Sequence, residues 1–375
     1  MQIVAEMWLV LRLTDSGVAV GATSALQFAP ILLFGAFGGL LADRFSKRRL
    51  LIATQVAMAL PALALWALTA SGGIELWMVF ALVFARGTVN ALDNPTRQSF
   101  VIEMVGAERV MNAVSLSSVI VHSARIVGPA LAGLVIAIWG VEPCFLLNAI
   151  TFLAMIVALA RMDPAELRPA PRSERQPGAL RAALRYVRRT PELSIPLGLM
   201  AVVGTLTLNF QVLLPLMARF TFDGGASSYS TLVSVMGAGA VAGALVAGTR
   251  TQVSARLMVG ASAWLGALTL ALAAAPGYAF AVAALVPLGA ATVTFAASIN
   301  SALQVHVEPE MRGRVMALYS IVFLGSTPIG GPLVGWLAQT AGPRASLALG
   351  GGAALLAGLA ARSAFARARP ATVSP

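Results

Sequence analysis

Apolar residues run along this chain in long stretches, separated by short clusters rich in Gly, Pro, Asp and Arg. A strand of a membrane barrel alternates apolar and polar positions over about ten residues. A helix crossing ~30 Å of hydrocarbon instead needs about 20 apolar residues in a row. The long stretches fit the helix, and they predict spans at 1–13, 18–42, 50–70, 76–94, 113–139, 143–160, 195–219, 228–249, 257–275, 278–300, 315–339 and 344–366. The first is short, since 13 residues rise only about 20 Å at ~1.5 Å each. Helix 1 is therefore expected to be truncated at its N-terminus, through a shortened chain or a misassigned start.

One long polar stretch, 161–192, divides six spans from six. Its Pro-rich first half has the composition of a linker. The run "ALRAALRYVRR", 179–189, reads as a basic amphipathic helix on the inner membrane surface. The predicted organisation is a six-helix bundle at 1–160, a cytoplasmic linker at 161–194, a second bundle at 195–366 and a cytoplasmic tail at 367–375. The two halves echo each other: "ERVMNAVSLSSVIVHSARIVGPALAGLV" at 108–135 parallels "GRVMALYSIVFLGSTPIGGPLVGWLA" at 313–338. Parallel repeats of this kind suit a transporter that rocks around a central site.

Composition agrees. Of 375 residues 58% are hydrophobic and 11% charged, against about 25% charged in a soluble domain. The surplus apolar surface must face lipid, so the fold class is an all-α integral membrane protein. The net charge of +11 raises the question of nucleic acid, but its placement answers it. If 42–50 is cytoplasmic and the sides alternate, 21 of the 26 Lys and Arg fall on the cytoplasmic side. Only Arg12, Arg219 and Arg344 fall opposite, while Arg86 and Arg125 fall inside helices. Basic residues resist translocation, so this asymmetry predicts a multi-pass membrane protein with both termini cytoplasmic. Its predicted partners are the lipid bilayer, a small-molecule substrate and protons, not nucleic acid, and it is expected to be a monomer.

The single cysteine, Cys144, excludes an internal disulfide and a Cys-rich metal site. Two distant histidines and no phosphate-binding loop leave no sign of an enzyme, a cofactor or a metal.

A charge inside a span costs at least ~2.5 kcal/mol on insertion scales. Arg86 and Arg125 therefore need an acid, carbonyls or water, and Glu6, the acid read inside a span, is the candidate partner or proton carrier. His122 lies one turn before Arg125 on the same face, where it suits a proton relay or a hydrogen-bonded packing role. His306 falls near an inner loop, where it is expected to be solvated. Gly128, Pro129 and Gly133 in the fifth span, and Pro328, Gly331 and Pro332 in the eleventh, put helix-bending and close-packing residues at matching places in the halves. They suit either flexing helices or ordinary close packing. Asp93 and Pro95 read as the end of the fourth helix with Arg97 close by, a gate or a cap. Asn148, Asn209, Gln211 and Asn300 are uncharged polar residues able to face a cavity; Asn209 and Gln211 do not share a helical face.

The stretch "GGLLADRFSKRRLL", 38–51, resembles the loop signature of the major facilitator superfamily between its second and third helices. Gly39, Asp43, Arg44, Arg48 and Arg49 fit that signature, and Ser46 stands where a second Gly is usual. "RIVGPALAG" resembles the fifth-helix Gly-Pro motif of exporters. "ALDNPTRQSFV", "CFLLNAITFLAMI", "ALRYVRRTPEL" and "EMRGRVMALYSIVF" extend the resemblance to the branch of macrolide efflux proteins and the enterobactin exporter, over essentially the whole chain. The resemblance implies a twelve-helix fold of two six-helix bundles and export driven by proton entry. It also implies a conformational latch built on Asp43, with its partner in the second half, and proton coupling at Arg86. The sequence leaves two other readings open, an importer and a non-transporting sensor or scaffold.

Overall fold

The computed structural model describes residues 1–167, 179–248 and 254–368, with side chains for all of these except 36–44, 107, 110, 111, 114, 115, 118, 119, 121–123, 125, 126, 179, 180, 247, 248 and 368. Gly39, Asp43, Arg44, His122 and Arg125 lie outside the described side chains, and the Pro-rich part of the linker and the end of the tail lie outside the described residues.

Six helices open the chain: α1 (Gln2–Thr14), α2 (Gly17–Arg44), α3 (Lys47–Ala70), α4 (Leu76–Val105), α5 (Val110–Trp139) and α6 (Glu142–Arg161). The short α7 (Ala179–Arg189) follows the linker. Then come α8 (Pro191–Leu206), α9 (Phe210–Leu216), α10 (Ala226–Gly248), α11 (Ala255–Ala273), α12 (Tyr278–His306), α13 (Arg312–Ala341) and α14 (Pro343–Ala368). No strand occurs among the described residues. Ten stretches among them, with α8, α9 and the turn after them counted as one, are long and apolar enough to cross a membrane.

Local chemistry sets several boundaries. Asp15 takes the left-handed conformation (φ 46°) after α1, and Ser16 Oγ then accepts from the Ala19 amide, a side-chain cap at the start of α2. Ser254 caps α11 in the same way through the Leu257 amide. Helices α4 and α13 end at Gly106 (φ 74°) and Gly342 (φ 87°), where a Cβ would be strained. Large apolar side chains such as Leu33, Trp139, Leu245 and Leu356 are exposed. So much exposed apolar surface marks an interaction face, and here it is the face that lipid covers.

Contacts gather the chain into two compact units: Met1–Glu174 with Gly224–Ser234, and Arg175–Asp223 with Val235–Pro375. In the first, α1 packs on α2, α4, α5 and α6, and α3 on α4 and α6. A Cβ at Gly87 of α4 would lie 2.5 Å from the Gln27 carbonyl oxygen of α2, so these two helices cross backbone to backbone. In the second, α11 packs on α12 and α14, α8 on α12, α13 and α14, and α7 on α8 and α13.

The fourth helix corrects the sequence reading. It does not end at Asp93 and Pro95 but runs on to Val105, so Asp93 sits in its interior. Asp93, Thr96, Phe100 and Glu103 are all buried, at the helical spacing i, i+3, i+7, i+10. An amphipathic face therefore carries the helix beyond its apolar run. The seventh span is likewise not one helix: it breaks at 207–209 between α8 and α9, then closes in a π turn, Met217–Thr221.

Candidate functional site

The first unit buries a chain of polar side chains reaching from α6 through α1 to α4. Gln2 and Glu6 stand one turn apart on α1, and Gln2 Nε2 donates to Glu6 Oε1 at 2.7 Å. The other carboxylate oxygen accepts from Arg86 Nη2, also at 2.7 Å. At the far end Asn148 Nδ2 donates to Gln2 Oε1. Glu6 has no exposed side-chain surface and Arg86 only 13%. The pair is thus held out of water, where a charge-assisted hydrogen bond is stronger than a neutral one.

Each element has a reason to deliver its residue. The absent side chain at Gly87 brings α4 onto α2, and Arg86 is its neighbour in sequence. The i, i+4 spacing of Gln2 and Glu6 lets the amide orient the carboxylate. Arg86 Nε is buried with no acceptor among the described residues, so the guanidinium retains hydrogen-bonding capacity beyond Glu6. Glu6 is the acid of this network, whose other members are a guanidinium and two neutral amides.

Asp93 lies seven residues after Arg86, two turns or about 10 Å further along nearly the same face of α4. Its Oδ1 accepts from Thr54 Oγ1 at 2.7 Å and Gln55 Nε2 at 2.8 Å, both on α3. Its Oδ2 accepts from Arg97 Nε at 3.2 Å and Nη2 at 2.9 Å. Asp93 and Arg97 thus form an ion pair one turn apart on α4, and Asp93 cross-links α3 to the interior of α4.

The basic run between α2 and α3 is anchored within the same unit. Lys47 pairs with Glu103 of α4. Arg48 Nε and Nη2 donate to the Leu159 and Ala160 carbonyls at 2.6 and 2.7 Å, capping the end of α6. Leu51, Phe100 and Leu159 form the apolar cluster beneath these contacts. Arg49 is exposed.

Helices α5 and α13 continue through Pro129 and through Pro328 and Pro332. A Cβ at Gly133 would lie 2.3 Å from Ser230 Cβ, and Gly128 is half-buried. Gly331 is buried, but the close crossing of α13 falls at Gly330. There a Cβ would meet the Thr205 carbonyl oxygen at 2.1 Å. Trp8 stacks on buried Tyr229 with ring centres 6.2 Å apart, two residues along α1 from Glu6. Ser24, Ser230 and Ser234 carry buried hydroxyls with no partner among the described residues. His306 is exposed, its Nδ1 2.8 Å from the Ala302 carbonyl, and Asn300 Oδ1 accepts from Gln304 Nε2 at 2.5 Å. Gln2, Thr54, Gln55, Lys47 and Glu103 are the partners that sequence reasoning did not single out. Only Gln2, one turn before Glu6, carried a signal.

Fold and comparison meet here. The chain belongs to the transmembrane secretion effector family of major facilitator transporters, whose model matches residues 1–371. It is 26% identical over 242 residues to the staphyloferrin A transporter of Staphylococcus aureus, covering 64% of this chain and 60% of that one. It is 23% identical over 151 residues to macrolide efflux protein A of Streptococcus pyogenes, covering 40% of this chain and 37% of that one. Among solved structures, the nucleoside transporter NupG superposes with a TM-score of 0.74 at 14% identity, over 97% of this chain and 96% of that one. That likeness is one of fold. The chain is thus a multi-pass membrane protein of this family.

Proposed function

We propose that the protein is a proton-coupled secondary transporter that exports small amphipathic molecules of the drug, macrolide or siderophore type by alternating access. The observation that carries this reading is the buried Glu6–Arg86 pair. With Glu6 ionised, the pair fastens α1 to α4. When a proton neutralises the carboxylate, Arg86 loses most of that attraction and turns to another acceptor, such as a carbonyl, water or substrate oxygen. Proton binding and a change in helix packing then become one event. The unpartnered Nε of Arg86 supports this, because the guanidinium already lacks one acceptor. The names of two relatives, a staphyloferrin A transporter and a macrolide efflux protein, support the substrate class, and the second supports export.

In the same reading Asp93 and Arg97 serve as a gate on α4. Gly39, Asp43, Arg44, Arg48 and Arg49 form the latch, and the Gly and Pro residues of α5 and α13 let those helices flex. His122 and Arg125 stand as further coupling candidates. Two six-helix bundles joined by the linker, with both termini on the cytoplasmic face of the inner membrane, complete the working plan.

The test is efflux of a substrate panel from energised cells, with and without a protonophore. At least one amphipathic compound should be exported, with export abolished by the protonophore and by Glu6→Gln. Export indifferent to the proton gradient would sink the coupling claim, and accumulation in place of efflux would reverse its direction.

A further inference from the structure

The second unit holds a cleft of about 360 Å³ between α10, α11 and α12. Gly243 and Val246 of α10, Ala290 of α12, and Arg256, Gly260 and Trp264 of α11 line it. Its floor is tight: a Cβ at Gly243 would lie 2.5 Å from Ala290 Cα, so α10 and α12 meet backbone to backbone. The wall on α11 is open, since a Cβ at Gly260 would meet nothing within 4 Å.

Arg256, Gly260 and Trp264 stand at i, i+4 and i+8, on one stripe of α11 about 12 Å long. The stripe therefore presents a cation at the end of the helix, a notch in the middle and an indole further in. Arg256 is exposed and makes no ion pair or hydrogen bond among the described residues. Val246 and Trp264 are exposed too, on a helix pair that reads as membrane-spanning. A slot that opens on lipid, is lined mostly by apolar residues with Thr294 among them, and carries at its polar end a guanidinium unpaired among the described residues has the charge and shape of an amphiphile with an anionic head.

We propose that this cleft is a binding site for an anionic phospholipid, whose headgroup phosphate is held by Arg256 while one acyl chain lies over Gly260 against Trp264. A bulk lipid would touch the same surface only in passing. An unpaired guanidinium beside a preformed notch favours a lipid bearing net negative charge over a zwitterionic one.

The test uses the full-length protein, purified in detergent and stripped of lipid, with bound lipid counted by native mass spectrometry. The probes are dioleoyl-phosphatidylglycerol, dioleoyl-phosphatidylcholine and free glycerol phosphate. Phosphatidylglycerol should bind first and most tightly. Arg256→Gln should weaken that first adduct roughly tenfold, the size of one lost charge-assisted contact. Gly260→Leu, which adds a side chain into open space, should do the same by filling the notch. Arg362→Gln, a change to an exposed arginine at another helix end, should leave it intact. Thermal unfolding without lipid shows that each variant is folded. The proposal is overturned if Arg256→Gln binds phosphatidylglycerol as the unmodified protein does, or if both lipids bind alike. It is equally overturned if glycerol phosphate alone displaces the lipid, which would make this a free-anion site, or if an exported compound displaces it, which would make it an entry route for substrate.

Discussion

Glu6 is the residue on which the proposed function turns. Burying one ion costs several kcal/mol, and removing one member of a buried pair leaves the other uncompensated, a loss of about 3–5 kcal/mol. Arg86→Ala should therefore destabilise the detergent-solubilised protein by that amount, read as a lowered midpoint of thermal unfolding. Glu6→Gln should cost less, since its one carbonyl oxygen still accepts from Arg86 even though its NH2 replaces the oxygen that Gln2 contacts, and so it is the cleaner probe of coupling. Asp93→Leu would strand the Gln55 amide in a buried place, at ~1–3 kcal/mol, while the Thr54 hydroxyl keeps the Leu51 carbonyl as acceptor; unfolding scans would show it. Glu6 and Arg86 were legible in the sequence because a charge inside an apolar run demands a partner. Thr54 and Gln55 were not, because an uncharged polar residue in a helix gives no sign of which neighbour it faces.

At the scale of the helix, what could be read depended on the signal used. Apolar runs located the spans but ended α4 at residue 94, because "DNPTRQ" looks like a break. The 3.6-residue spacing of Asp93, Thr96, Phe100 and Glu103 continues through it, and Thr54, Gln55, Arg97 and Lys47 satisfy the two acids on that face. The break at 207–209 holds no Gly or Pro of its own to announce it. There Asn209 Nδ2 takes the Thr205 carbonyl at 2.7 Å, and Thr207 Oγ1 takes the Gly350 carbonyl at 2.7 Å. Side chains thus compete with the backbone ladder, a contest settled by tertiary neighbours that a single sequence does not reveal. The crossing of α8 and α13 beside this break gives a sharp test. Gly330→Ala should cost about 3 kcal/mol, the upper end for overpacking, whereas Gly198→Ala in α8, where a Cβ meets nothing within 4 Å, should be neutral or stabilising by up to ~1 kcal/mol. Equal unfolding midpoints for the two variants would refute the crossing.

For the whole molecule, the strongest sequence signals were hydropathy and the distribution of arginine, which reflect the demands of the bilayer more than any one contact. They predict sidedness that can be measured directly. Cys144 is buried, so a membrane-impermeant maleimide should report mainly on introduced cysteines. Phe45→Cys, in the α2–α3 link, should label only in inside-out vesicles, and Gly73→Cys, in the α3–α4 link, only from outside. Labelling of both from one side would overturn the topology.

Proton movement tests the proposed function more directly than any structural probe. In proteoliposomes carrying a pH-sensitive dye, adding an exported compound should drive proton flux across the membrane with the unmodified protein and abolish it in Glu6→Gln, while that variant still binds the compound. Substrate-driven proton flux that persists undiminished in Glu6→Gln would contradict the assignment of coupling to the Glu6–Arg86 pair.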